Sequence, residues 1–288
     1  MITIFTTPKP FKGKFKVIQE NAIKSWIALG PKVTVLLIGN EPGTSTVAKK
    51  FKIKQIKNIK VNSSGIPYLS ALFKVARQKT KDEILAFVNA DIILFKDFVK
   101  AINSIKKQRN NFLLIGRRTD VNIGETLDFN SNKQIDNLIR YVRKNGKLHD
   151  YRGMDYFVYP RNFWRKIPDF TIARPSYDRW FVGEAKIISS CVVDATKSII
   201  AVHQNHDYSI IPGGIEGKLF KKEAVINQKL AGGVFGDVKS ADYILTADLK
   251  LKKNDRKFDL EKLWATFWRH INHFLKVRFF GLLKDILR

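Results

Sequence analysis

Asn89-Ala90-Asp91 closes a short apolar run, Ile84 to Val88, and apolar residues resume at once with Ile92. A carboxylate set between two such runs is costly to desolvate unless a metal ion, a cation or an open strand end compensates it. Far downstream, His203 and His206 stand within four residues of each other beside an acid, and either can be a metal ligand. Two more acids lie at element boundaries, Asp155 beside Gly153 and Asp178 just before Trp180. Plainer readings stand alongside. Asp91 can open a turn and cap a helix starting near Lys96, Asp178 can be a first-turn acid favoured by the helix dipole, and a lone histidine is more often structural.

The elements that must position these residues follow from hydrophobic periodicity. Ile2 to Phe5, Val33 to Ile38 and Ile84 to Val88 are apolar, β-branched runs of strand length. Between them, Phe15, Ile18, Ala22 and Trp26 recur at helical spacing until Gly30-Pro31. Ser64-Gly65-Ile66-Pro67 opens a second helix, with Leu69, Leu72, Phe73 and Ala76 on its inner stripe. Alternating strands and helices imply a mostly parallel sheet with helices on both faces. Right-handed crossovers then bring Thr6, Glu41 and Asp91 to one sheet edge, where open α/β sheets bind ligands. Further on, the pattern predicts a helix through Phe98 and Ile105, a strand over Phe112–Ile115, and a polar helix over 130–144. An aromatic strand from Gly153 to Pro160, a helix to about Ile187, and a hairpin-like pair over 192–194 and 199–203 follow.

Bulk properties narrow the classes. The 288 residues are 44% hydrophobic and 12% aromatic, enough for a packed core. A single cysteine, Cys191, excludes an intramolecular disulfide framework and a thiolate zinc cluster, and fits a reducing compartment. With 52 Lys+Arg against 26 Asp+Glu, the formal charge is +26, a field that attracts polyanions. Lysine runs such as 49–54 read equally as a solvated face. No secretory leader and no membrane-spanning run is expected.

In the order of its pieces, the chain resembles the inverting, family-2-like nucleotide-sugar glycosyltransferases of the A-type (GT-A) fold over roughly residues 1–210. The resemblance rests on Asn89-Ala90-Asp91, then Asp178, then His203 or His206. It implies an α/β, Rossmann-like mixed, mostly parallel sheet flanked by helices. It also implies transfer from a UDP- or GDP-sugar donor to a glycan or lipid-linked acceptor. By that resemblance Asp91, His203 and His206 hold Mn²⁺ or Mg²⁺, and Asp178 is the catalytic base, with Asp155 in reserve or in acceptor binding. Thr6, Thr7, Glu41, Gly65, Pro67, Asn89, Ala90, Arg117 and Arg118 form the nucleotide-sugar site. Glu41 is placed to bond the base or ribose, or else is a turn residue before Pro42-Gly43. Arg117, Arg118 or Lys9 would neutralise the leaving diphosphate, unless they are exposed and idle. Asn89 stands where the family usually has a first aspartate, which puts metal dependence in question.

Three regions are expected: a catalytic domain over 1–212, a glycine-containing loop region over 213–258, and a basic amphipathic C-terminal helix over 259–288. That helix carries Leu260, Trp264, Phe267, Ile271 and Phe274 on one stripe, with Lys and Arg elsewhere. Such a pattern reads as an interfacial anchor on an anionic membrane, or as a helix packed on the domain or on a second subunit in a homo-oligomer. The expected location is the cytoplasm, peripheral on its membrane face. Two other classes compete. One is a nucleic-acid-binding protein, motivated by the charge but lacking any recognition signature; the other is a glycosyltransferase-like protein that binds without turnover, motivated by Asn89.

Overall fold

The computed structural model describes residues 1–206 and 222–256. The chain begins β1 (Ile2–Thr6), α1 (Gly13–Ile27), β2 (Val33–Ile38), α2 (Thr44–Lys50), β3 (Lys54–Ile56), α3 (Leu69–Lys79) and β4 (Ile84–Val88). It continues through β5 (Ile92–Ile93), α4 (Lys96–Gln108), β6 (Phe112–Ile115), β7 (Thr119–Val121), α5 (Asn132–Asn145), β8 (Lys147–Leu148) and β9 (Tyr156–Pro160). After α6 (Tyr177–Ile187) come β10 (Cys191–Asp194), β11 (Val202–Gln204), α7 (Lys222–Ala231), β12 (Tyr243–Leu245) and β13 (Leu251–Lys253).

The expected α/β architecture is present. Nine strands form one sheet in the order β13-β12-β10-β6-β9-β4-β1-β2-β3. Its centre, β4-β1-β2, is parallel, with Phe5 opposite Phe87 and Thr6 opposite Leu37. Because successive side chains point to opposite faces, these strands supply two cores. Ile4, Leu37 and Ala86 pack with Ala22, Ile23 and Trp26 of α1 and Phe98 of α4. Phe5, Leu36 and Phe87 pack on the other face with Leu72 and Phe73 of α3 and Phe181 of α6. Burial on both faces explains why these strands read as continuous apolar runs.

Two features of the topology place the site. First, β9 is antiparallel to both neighbours, β4 and β6, so the start of β9 meets the end of β4. Second, a four-stranded sheet, β5-β11-β7-β8, stands beside the first. There β5 pairs antiparallel with β11 and β7 pairs parallel with β11. Ile93, Phe95, Val121, Phe129, Val142 and Val202 form its own small core. From α1, the buried Trp26 indole donates to Ile92 O at 2.9 Å, and Ser25 Oγ accepts from Leu94 N at 3.1 Å. Those bonds pin the segment that follows Asp91.

Several expectations are corrected. The 192–203 stretch is not a hairpin: β10 joins the large sheet and β11 the small one, because β11's partners are β5 and β7 rather than β10. Residues 64–67 are a turn ahead of α3, closed by Gly65 N to Asn62 O at 3.0 Å, and Gly65 has φ +75°. The described part of 213–258 carries α7 and two strands that extend the large sheet, so it is not a loop region alone. The expected helix over 259–288 and the boundary at 212 lie outside the described residues. Among the described residues, no helix is long and apolar enough to cross a membrane.

Candidate functional site

Asp91 sits in the turn between β4 and β5, and β11 carries histidine to it. Register places His203 opposite Ile92, while Gln204 N reaches Asp91 O at 3.3 Å. Asp91 Oδ2 then lies 3.0 Å from His206 Nε2 and 3.9 Å from His203 Nε2. One ligand atom from each of Asp91, His203 and His206 can be chosen so that all lie within 4.8 Å of one another. Asp91 Oδ1 is buried and has no hydrogen-bond partner among the described residues. One carboxylate and two imidazoles, with one carboxylate oxygen left over, suit a small divalent cation. Burial alone would raise the Asp91 carboxyl, but the His206 bond and the fields of His203 and Lys9 outweigh it and hold it below the usual carboxylate range.

Asn89 and Asp155 meet because β4 and β9 run antiparallel with Val88 opposite Tyr156. Asn89 N donates to Asp155 O at 2.9 Å, and the Asn89 side-chain amide donates to Asp155 Oδ1. Arg118 takes the other oxygen, Nη1 to Oδ2 at 2.6 Å. Both oxygens of Asp155 are therefore engaged, and its geometry suits it to orienting neighbours rather than abstracting a proton. Arg118 also bonds Asp120 Oδ1 through Nε at 2.8 Å. Held between two carboxylates, it is neither exposed nor idle. Arg117 is turned elsewhere, its Nε on His149 O at 2.7 Å and its guanidinium 4.6 Å from the Tyr151 ring.

Asp178 occupies the first turn of α6 and accepts from Arg179 N at 2.9 Å. Burial raises its carboxyl, and Asp155 adds to the rise. Tyr177, buried beside it, is raised first by burial and then by the fields of Asp178, Asp155 and Asp91. The fields of Asp91, Asp155 and Asp178, distant in sequence, thus all reach one tyrosine.

The remaining candidates line the same strand-end edge with looser ties. Thr6 ends β1, buried, and Thr7 Oγ1 would lie 3.2 Å from a Cβ placed on Gly39. Glu41 follows β2, half-buried, its carboxyl raised by burial. Gly65 and Pro67 belong to the turn before α3, where Pro67 O accepts from Ile172 N at 3.2 Å. Ala90 links Asn89 to Asp91 and is half-buried.

Sequence reasoning missed Asp120 and His149. Asp120 Oδ2 is 2.6 Å from His149 Nδ1, and Oδ1 is 3.0 Å from His203 Nδ1. The signal available was weak, an acid in a three-residue strand. Arg174 was also missed. It is 6% exposed, Nη1 bonds its neighbour's carbonyl, Ala173 O, and Nε has no partner among the described residues. A separate cavity of about 720 Å³, lined by Asn111, Phe163, Trp164, Ile187 and Ser190, holds none of the candidate residues.

No protein-family model matches the chain, and no curated protein matches it. Among solved structures it is similar to S. aureus TarS 1–349 in complex with UDP, at 14% identity and TM-score 0.46, over 80% of this chain and 69% of that one. It is similar to glucosyl-3-phosphoglycerate synthase from Mycobacterium tuberculosis in complex with Mn²⁺, UDP and phosphoglyceric acid, at 12% identity and TM-score 0.47, over 88% and 86%. The mannosyltransferase PcManGT from Pyrobaculum calidifontis, in complex with GDP-Man and Mn²⁺, is similar at 9% identity and TM-score 0.43, over 81% and 61%. Against the TarS 1–349 complex with UDP-GlcNAc the likeness spans 44% of this chain and 36% of that one.

Proposed function

We propose that this protein is a glycosyltransferase that moves a sugar from a nucleotide-sugar donor, with inversion, at a site holding Mn²⁺ or Mg²⁺. One observation carries the reading: Asp91, His203 and His206 converge at the end of a central parallel strand, with a buried carboxylate oxygen that lacks a partner among the described residues. Bound there, the cation would supply charge stabilisation for a departing diphosphate. Asp91, His203 and His206 would hold it. The Asn89 amide is committed to Asp155, which leaves its carbonyl oxygen to accept from a donor hydroxyl. Asp178, buried at the start of α6 with its Oδ1 on Arg179 N, serves as base. Its carboxylate takes the acceptor hydroxyl proton as the oxygen bonds the anomeric carbon, and the nucleoside diphosphate leaves from the opposite face. Burial raises its proton affinity, which suits a group that must accept a proton in the transition state.

The acceptor, a glycan or lipid-linked precursor at a membrane surface, is the remotest part of the proposal. It is supported by the formal charge of +26 and the basic amphipathic pattern of 259–288. The test is a ligand screen by thermal shift and calorimetry with UDP, GDP and their sugars, with and without Mn²⁺. Stabilisation that needs Mn²⁺ and vanishes in Asp91→Ala supports the site. Equal stabilisation in Asp91→Ala would remove Asp91 from it, and no binding of any nucleotide would end the reading. The capture of Asn89 by Asp155 favours one second reading, a protein that binds nucleotide-sugars without turnover. Hydrolysis of a nucleotide-sugar panel separates the two.

A further inference from the structure

His203 faces two carboxylates, one with each ring nitrogen. Nε2 lies 3.9 Å from Asp91 Oδ2, and Nδ1 lies 3.0 Å from Asp120 Oδ1. Nδ1 is buried, its line to Asp120 is not that of a straight hydrogen bond, and it has no other partner among the described residues. The pairing is built into the backbone: β7 and β11 run parallel with Asp120 as the register partner of His203. Asp120 is itself held by two further groups. Arg118 Nε bonds its Oδ1 at 2.8 Å, His149 Nδ1 lies 2.6 Å from Oδ2, and Arg118 is anchored in turn by Asp155. Gly153 leaves the room this needs, because a Cβ there would stand 2.3 Å from His149 Cδ2.

We propose that Asp120 is a positioning residue that fixes His203 as the Nδ1–H tautomer, so that the Nε2 lone pair is aimed at the cation site beside Asp91. The inference rests on the metal reading of that site and goes beyond it, since Asp120 would touch neither cation nor substrate. A histidine ligand that donates its far N–H to a carboxylate is fixed in ring orientation and tautomer, and loss of such a partner typically lowers metal affinity 10- to 100-fold. The strut Asp155–Arg118–Asp120–His203 then also ties the end of β4 to the small sheet, so that Asn89 and the histidines keep one spacing.

The experiment uses the full chain, MnCl₂ as the probe and two readouts. Calorimetry measures Mn²⁺ affinity, and long-range ¹H–¹⁵N correlation of the imidazoles, recorded without metal at alkaline pH where the ring is neutral, reports the His203 tautomer. In the wild type, His203 is expected as Nδ1–H. Asp120→Ala should scramble the tautomer and weaken Mn²⁺ binding about 10- to 100-fold. Asp120→Asn keeps a carbonyl oxygen at the Oδ1 position and should restore both to near wild type. His149→Gln, which leaves the Oδ1 contact in place, should shift affinity by less than about threefold, within the scatter expected of a residue one step removed. An Nε2–H tautomer in the wild type overturns the proposal whether or not any variant folds. So does Asp120→Ala binding Mn²⁺ as tightly as wild type while Asp91→Ala does not, which spares the metal site itself. Absence of Mn²⁺ binding by the wild type defeats the metal reading and this inference together.

Discussion

Asn89→Asp would restore the two-acid pattern that this chain lacks, and the structure predicts that it harms the protein. The Asn89 amide donates to Asp155 Oδ1; in the variant a second carboxylate oxygen faces the first. The hydrogen bond lost, one to a charged group, is worth about 1.5–3 kcal/mol. Repulsion between two ionised carboxylates about 3 Å apart, at an effective dielectric near 20, adds about 5 kcal/mol before Arg118 offsets part of it. The pair escapes by sharing a proton, so its upper apparent pKa rises in the folded state. Holding that proton costs about 1.4 kcal/mol for each pH unit above a carboxylate's ordinary value near 4, or about 3–4 kcal/mol at pH 7. A raised folded pKa means that the penalty is absent below the unfolded value and grows as pH climbs. Urea unfolding in EDTA should therefore find the variant within about 1 kcal/mol of wild type at pH 4.5 and about 2–4 kcal/mol less stable at pH 7.5. Mn²⁺ should recover part of the loss at pH 7.5. A variant as stable as wild type at pH 7.5 without metal would refute the account of why asparagine stands here.

Asp178→Asn should lower turnover by roughly 10²- to 10⁴-fold, while the Mn²⁺-dependent thermal shift with nucleotide stays intact; loss of both would make Asp178 a structural acid. Asp97 is pushed up to about 6 by burial, although its Oδ2 accepts from Ile200 N at 2.8 Å. Because that folded value lies above the unfolded one, its ionisation weakens the fold as pH rises through about 4 to 6, and Asp97→Asn should gain up to about 3 kcal/mol at pH 8 and nothing at pH 4. Paired melts at the two pH values check the sign. Trp26→Phe removes the donor to Ile92 O and leaves that carbonyl unpaired, which should cost about 1–3 kcal/mol. It should also loosen Mn²⁺ binding, since Ile92 adjoins Asp91; calorimetry reads the second effect separately from the melt.

The strands of the sheet's centre were legible because burial on both faces leaves only apolar residues, and α1, α3 and α4 because one face alternates at helical period. The convergence of Asp91 with His203 and His206 was legible in outline, since a buried acid and a histidine pair are costly to place without a purpose. What stayed hidden depends on long-range partners. The insertion of β9 between β4 and β6 joins Asn89 to Asp155, and the pairing of β7 with β11 joins Asp120 to His203. Neither leaves a local trace, because strand partners across dozens of residues are chosen by packing rather than by period. The same blindness made 192–203 read as a hairpin. The short α2 and β3 escaped because seven and three residues are too few to show a period, and their lysines read as solvated surface.

The charge of the site runs against the charge of the chain. Across 288 residues the formal balance is +26, yet Asp91, Asp120 and Asp155 gather at the site, with Arg118 bridging Asp120 and Asp155 and the imidazoles of His203 and His206 beside Asp91. Lys9 reaches Asp91 by its field. Such a cluster repels a free diphosphate at short range even while the basic surface draws polyanions at long range. A divalent cation held by Asp91, His203 and His206 would reconcile the two, because it would engage the buried Asp91 Oδ1 and lower the negative charge that opposes a diphosphate. The order of binding follows: nucleotide affinity should rise steeply with Mn²⁺, whereas Mn²⁺ should bind measurably without nucleotide. Nucleotide that bound equally well in EDTA would mean that some other cation, such as the buried Arg174, receives the phosphates.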